Sequence, residues 1–195
     1  MIKYIFFLFF MSESIFAQKQ NNFSFELQGN TFTGIGNNFI AEGLGTFTGF
    51  GAAVSGTFYK NIGLSLDFHR GFSEVKDISV FGDLQKPALT SVEILGLYRY
   101  KVNNKFDMEG NIGVGSMYLK SRSIYRNEGF SENGTAFILG AKALYSITKN
   151  NSLYLVGAPR FYFLSTFTEI DNPKANRYYS TATLLNFTLG LRVYF

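Results

Sequence analysis

The sequence predicts an all-β fold, an eight-stranded antiparallel up-and-down transmembrane β-barrel, and three observations predict it. The last stretch alternates apolar with small or polar residues well past the length of a half-buried soluble strand. Eight alternating stretches follow one another along the chain, joined by short and long segments in strict turn. An apolar N-terminal run precedes the first of them.

In the closing stretch Thr181, Thr183, Leu185, Phe187, Leu189, Leu191, Val193 and Phe195 share one face of an extended strand. Ala182, Leu184, Asn186, Thr188, Gly190, Arg192 and Tyr194 share the other, because strand side chains alternate with period two. A run of this length that stops on a terminal Phe suits a tilted strand crossing lipid.

The first strand alternates Phe23, Phe25 and Leu27 with Ser24, Glu26 and Gln28 and is expected to end near Thr33, with a loop over Gly34 to Gly45. Strand two, Thr46 to Tyr59, turns at Lys60-Asn61 into strand three with Ile62, Leu64, Leu66 and Phe68. Gly71 to Leu89, charged and holding Pro87, reads as a long loop. Strands four (Val92 to Tyr100) and five (Phe106 to Tyr118) are joined at Asn103-Asn104, and Lys120 to Asn133 reads as a third long loop after the two before it. Strand six carries Thr135 to Tyr145, Lys149-Asn150-Asn151 turns the chain, strand seven carries Leu153 to Phe163, and Thr168 to Tyr179 forms the last loop. All short turns then fall on one rim and all long loops on the other. The apolar parity points outward, because an eight-stranded barrel has room inside only for its own side chains. Closure removes the unpaired edges that lipid could not satisfy. Phe58, Tyr98, Tyr100, Phe106, Tyr145 and Phe195 are placed outward near the short-turn rim, and Phe68, Tyr118, Phe163 and Phe167 near the other, as two interfacial girdles.

Residues 1–17 have the layout of a secretory signal: Lys3, the apolar run Tyr4 to Met11, then Ser12 to Ala17 with cleavage expected after Ala17. The apolar core is too short to span a bilayer. Residues 18–195 are then one barrel domain. Cysteine is absent, which excludes disulfides, thiolate chemistry and lipoprotein processing. The net charge of +4 is scattered rather than clustered, which argues against nucleic acid as a partner.

The closing strand through Phe195 resembles that of bacterial outer-membrane β-barrel proteins, and the whole pattern resembles the small OmpX- and OmpA-like barrels and the outer-membrane barrels of Bacteroidota. That resemblance implies export through the Sec pathway and residence as a monomer in the outer membrane among phospholipid and lipopolysaccharide. It also implies that the barrel-assembly machinery reads Phe187, Leu189, Leu191, Val193 and Phe195 as an insertion signal, and that the four long loops face outside.

The inward parity collects Glu26, Asp67, Glu93, Asp107 and Glu109 against Arg99, Lys101, Lys142, Arg160 and Arg192. Counted from the short-turn rim, Glu26, Glu109, Lys142 and Arg192 sit at neighbouring heights with Glu93 and Arg160 above them, so ion pairs across a narrow lumen are expected. Gly113, Gly115 and Gly140 on the same face leave room for long side chains. His69, the single histidine, points inward beside Asp67. A His oriented by an Asp could act as a general base with Ser65, Ser73 or Ser91, but no local motif joins them; a lumen hydrogen-bonding role is the expectation. Neither a metal nor a cofactor is expected. Gly43 to Gly51 is not a phosphate loop, since no Lys-Ser/Thr pair follows it. Pro159 falls within strand seven and predicts a bulge, or else a lateral gap toward lipid.

The same resemblance implies a structural or surface-interaction role, adhesin-like, exercised through the outward loops over a plugged polar lumen. A narrow channel for small solutes is the second reading, and a lipid-modifying enzyme centred on His69 the third.

Overall fold

The computed structural model describes residues 23–123, 129–167 and 171–195, so the expected signal peptide lies outside the described residues. Eight strands run in order: β1 (Phe23–Ile35), β2 (Phe47–Tyr59), β3 (Ile62–Phe72), β4 (Leu84–Lys101), β5 (Phe106–Ser123), β6 (Gly129–Ser146), β7 (Leu153–Thr166) and β8 (Thr181–Tyr194). Each pairs antiparallel with the next, and β8 returns to β1, closing the barrel. The seam is continuous from Ser24 opposite Tyr194 to Ile35 opposite Thr183, and the Phe195 N–H donates to the Phe23 carbonyl at 3.0 Å.

Alternation decides what each strand buries. Leu27, Val54, Leu66, Ile94, Ile112, Leu139, Phe161 and Leu189 point outward and are exposed, while Glu26, Asp67, Glu93, Glu109, Lys142, Arg160 and Arg192 are buried. A soluble protein does not expose such a continuous apolar belt, so the solvent for this face is lipid. No helix among the described residues is long and apolar enough to cross a membrane. The aromatic girdles lie as the parity places them: Phe58, Tyr98, Tyr100, Tyr145 and Phe195 at the short-turn rim, Phe68, Tyr118, Phe163 and Phe167 at the other, all exposed.

The turns show why the chain reverses where it does. Lys60 (φ 49°) and Asn151 (φ 55°) adopt the left-handed region that tight reversals use. The Asn103 side chain accepts from the N–H groups of Lys105 and Phe106 at 2.8 and 3.0 Å, replacing a missing ladder partner.

All four long connections differ from expectation in length or content. Within Gly34 to Gly45 sits a short helix α1 (Phe39–Gly43), capped by Asn38, whose side chain accepts from the Ala41 N–H at 3.0 Å. Gly71 to Leu89 is loop only in part: β3 runs to Phe72, α2 (Ile78–Phe81) follows an Asp77 cap, and β4 begins at Leu84. Lys120 to Asn133 is mostly strand, because β5 and β6 stay paired up to Arg122 opposite Gly129. These strands keep their ladder beyond the apolar belt, where polarity no longer distinguishes strand from loop. The last connection holds α3 (Pro173–Ser180), with Pro173 at its first turn and Asn172 accepting from the N–H groups of Lys174 and Ala175.

Pro159 makes no bulge. It faces Phe187 in an unbroken β7–β8 ladder, whereas the β6–β7 pairing stops after Gly140 opposite Arg160 and resumes at Ala143 opposite Gly157 without a change of register. The missing N–H interrupts the ladder locally on the β6 side and leaves the β8 side intact. Pro159→Ala should restore a ladder hydrogen bond and raise unfolding stability by about 1 kcal/mol. Urea titration of the barrel in lipid, followed by the gel shift between folded and unfolded forms, measures this; an unchanged midpoint would show that the proline is not what opens the ladder.

Candidate functional site

The lumen is stacked in three tiers. At the short-turn rim Leu144, Tyr154, Val156 and Tyr194 form an apolar collar, with the Tyr154 and Tyr194 rings edge to face at 5.2 Å. Above it lies the ionic tier, and above that an apolar tier built on Phe32, Phe47, Leu89, Leu95, Met117 and Ile138. The expected polar plug is therefore only the middle layer.

The ionic tier is one chain of alternating charge. Arg160 donates to Glu93 at 3.0 Å and to Asp67 at 2.5 Å, and the Lys142 ammonium lies 3.6 Å from Asp67 and 3.1 Å from Glu26. Arg192 spans Glu26 at 2.8 Å and Glu109 at 2.6 Å, and Arg99 closes the row on Glu109 at 2.7 Å. Four carboxylates thus meet four cations, so the row carries no net charge. Strand pairing creates it: Glu26 is opposite Arg192, Glu109 opposite both Arg99 and Lys142, and Asp67 opposite Glu93. Neutral donors complete two of the carboxylates, while Glu109 Oε2 and Arg160 Nε are buried without a partner. Tyr162 and Ser91 donate to Glu93 at 2.8 and 2.7 Å, and Ser65 donates to Asp67. Tyr162 is readable in the sequence only as an inward residue of strand seven, with nothing to mark it as a donor.

Small residues make the space. A Cβ on Gly140 would lie 2.5 Å from Arg160 Cγ, one on Gly115 3.0 Å from Glu93 Cγ, and one on Gly51 2.6 Å from His69 Nδ1. Gly113, expected to serve the same end, instead sits against the Leu95 backbone and side chain. Gly51 was not among the expected residues, and its register opposite His69 is what reveals it.

His69 is wholly buried in this tier. Its Nε2 lies 3.2 Å from Arg160 Nη1 and its Nδ1 3.4 Å from the Asn30 amide. Arginine can only donate, so Nε2 accepts and the proton belongs on Nδ1. Turning the Asn30 amide then gives that proton an acceptor and satisfies Asn30 Oδ1, which otherwise has no partner. The serine candidates do not act on the imidazole: Ser65 and Ser91 donate to carboxylates, and Ser73 donates to the Glu74 carbonyl at 3.3 Å.

Asp67, His69 and Glu93 do bring ligand-type atoms within 4.8 Å of one another, closer than their sequence spacing suggests. The guanidinium of Arg160 contacts all three, so the cluster already holds a cation of its own. The donor set fits a guanidinium cradle and not a metal centre.

The long-loop end is capped by the loops themselves. Phe39 and Ile40 of α1 and Phe81 of α2 are buried on the apolar tier, Phe39 and Phe81 with rings parallel at 6.5 Å. The space left between Phe39, Ile40, Leu89, Met117 and Leu119 is about 10 Å³, room for one water at most. A bridge between Leu44 and Val75 joins the first two loops, and Tyr178 of α3 donates to Glu42 at 2.8 Å, joining the last to the first. Partial dehydration, with that bond to the Glu42 carboxylate, pushes the Tyr178 phenol up to about 12 and keeps it a donor. Outside the cap, an open cleft of about 870 Å³ lies between α3 and the upper ends of β1, β7 and β8, lined by Ile35, Phe163, Lys174, Arg177 and Thr183 among others.

Removing Arg160 tests the ionic tier. Arg160→Met should cost about 3 to 5 kcal/mol, because it strands buried Asp67 and Glu93. Adding Asp67→Asn and Glu93→Gln should recover most of the loss, and urea unfolding in lipid reads both. Gly140→Ala should likewise destabilise the folded form by about 1 to 3 kcal/mol through overpacking on Arg160; an unperturbed midpoint would mean that the side chain has room to move aside.

No protein-family model matches the chain, and no curated protein matches it. Its fold is found among solved structures. Neisserial surface protein A superposes with TM-score 0.64 at 11% identity, over 89% of this chain and 97% of that one. Ail, the attachment invasion locus protein of Yersinia pestis, gives 0.56 at 12%, over 90% and 100%. A major outer membrane protein of Thermus thermophilus gives 0.56 at 14%, over 89% and 99%. The chain therefore has the fold of the small eight-stranded outer-membrane barrels, the class of architecture its alternating strands and unequal loops predict.

Proposed function

We propose that this chain is an integral protein of the bacterial outer membrane that acts outward, through the part of the barrel standing above the lipid, over a lumen that does not conduct. The observation that carries the reading is the contrast between the two ends. Inside, an alternating ion row lies between two apolar tiers. Outside, β4, β5 and β6 continue as a three-stranded ribbon beyond the ends of their neighbours. β3 stops opposite Ala88 and β7 opposite Gly134, which leaves Leu84 to Lys86 and Gly129 to Ser131 as strand edges without a strand on their far side. Such edges are templates for an extended partner segment. The fold likeness to Ail, named for attachment and invasion, supports the class of role and says nothing of the partner here.

Export by the N-terminal segment and insertion read from Phe187 through Phe195 belong to the same proposal, as does a monomeric state. The channel reading loses its support to the apolar tiers, and the enzyme reading to the sequestration of His69.

Two measurements test this. The refolded protein in a planar bilayer should show no discrete conductance steps above the bare membrane; reproducible steps would overturn the closed lumen. Cells displaying the full chain should attach to immobilised extracellular-matrix proteins better than cells in which residues 119–132 are replaced by a two-residue turn joining the paired Tyr118 and Asn133, which removes the ribbon. Equal attachment by both would remove the ribbon from the function.

A further inference from the structure

The lipid-facing wall is almost free of charge, and what charge it has is confined to one sector. Among the described residues, three on the outward parity of the eight strands are charged: Arg70 on β3 and Lys120 and Arg122 on β5. All three are cations, all are exposed, and all sit at the long-loop end. No Asp or Glu of the strands shares the outward parity: Glu26, Asp67, Glu93, Asp107 and Glu109 are turned into the barrel, and Glu132 of β6 stands on the inward parity.

Register puts the three side by side. Arg70 is opposite Thr90, which is opposite Tyr118; Lys120 follows one outward step above, opposite Ala88, and Arg122 one step higher, opposite Gln85. Thr90 and Ala88 between them are small, so the long side chains can converge across two inter-strand spacings, about 10 Å. A fourth exposed cation, Lys86, stands in the bulge beside them with φ 52°. Below the patch the wall is apolar, with Phe68, Val92 and Tyr118 exposed, and the Arg70 guanidinium lies 5.3 Å from the Phe72 ring. At the matching end of the other strands the outward positions are uncharged: Thr31, Thr33, Thr48, Asn133, Thr135, Ser165, Thr181 and Thr183.

Cations placed where an apolar wall ends meet lipid headgroups. A general need for interfacial anchoring would distribute them around the barrel; here the rest of the ring is anchored by hydroxyls and aromatics. We propose that Arg70, Lys120 and Arg122 form a lateral binding site for a phosphate-bearing glycolipid of the outer leaflet, with the phosphates on the three cations and the acyl chains along the Phe68 and Val92 wall. The site rests on the outer-membrane reading above and gives that reading a defined lipid contact.

The test uses the refolded full chain in phosphatidylcholine nanodiscs doped with bisphosphorylated lipid A, with dephosphorylated lipid A, or with phosphatidylglycerol, and bound lipid is counted by native mass spectrometry. Arg70→Gln, Lys120→Gln and Arg122→Gln, made singly and together, are compared with Lys149→Gln on the opposite rim. Bisphosphorylated lipid A should be retained by the parent chain, lost about fivefold per substitution and nearly abolished in the triple variant. Lys149→Gln should change nothing. Inorganic phosphate, added as a competitor, should not displace the lipid. Equal retention by the parent and the triple variant, or equal retention of phosphatidylglycerol and lipid A, would overturn the site while a normal folded gel shift left the barrel intact. Failure of the parent chain to enter any of the bilayers would instead overturn the membrane reading itself.

Discussion

Arg160 and Arg192 are among the largest side chains that the barrel hides completely, and the interior is arranged to keep them charged. A buried guanidinium is tolerable only with carboxylates in contact, and further donors to those carboxylates lower the cost. That requirement recruits Asp67, Glu93, Glu26 and Glu109, then Lys142 to balance the two that face each other across the middle, then Tyr162, Ser65 and Ser91 as neutral donors. Because Asp67 and Glu93 are directly opposed on β3 and β4, the arginine is not an optional partner. Without it the register of those strands would hold two like charges side by side.

An eight-stranded barrel offers little volume, and the ion row takes most of the middle. Gly51, Gly115 and Gly140 give up their side chains so that His69, Glu93 and Arg160 can lie flat across the lumen. The apolar tiers flank the row on either side, and only its Arg99 end is partly exposed. Fold and packing are thus one problem: the side chains that pair across the lumen are also the ones that fill it.

Much of this could be read from period two alone. Which residues face inward, how many strands there are and which rim holds the short turns all follow from alternation, because a side chain one position off would be exposed on the wrong face. The members of the ion row were legible for the same reason. What was not legible has physical causes. The inward Phe32, Phe47, Leu89 and Met117 look like any apolar residue until strand pairing stacks them into a tier. The upper parts of β5 and β6 carry Lys120 and Arg122, and a strand beyond the apolar belt has no hydrophobic stripe to betray it. The helices of four to eight residues in the loops are too short to show a period of 3.6. Pro159 misled because its cost depends on which side of the strand its missing hydrogen faces, and only the ladder shows that.

The loops above the barrel are fastened to one another as well as to the lumen: Leu44 bridges to Val75, Tyr178 holds Glu42, and Phe39 stacks on Phe81. Segments far apart in sequence therefore present a single composite surface to the exterior. An antibody that recognises this cap would see residues from three connections at once and lose its target on denaturation. Sequence change in any one loop would also alter how the others are displayed, so substitutions in the three are expected to be coupled rather than independent.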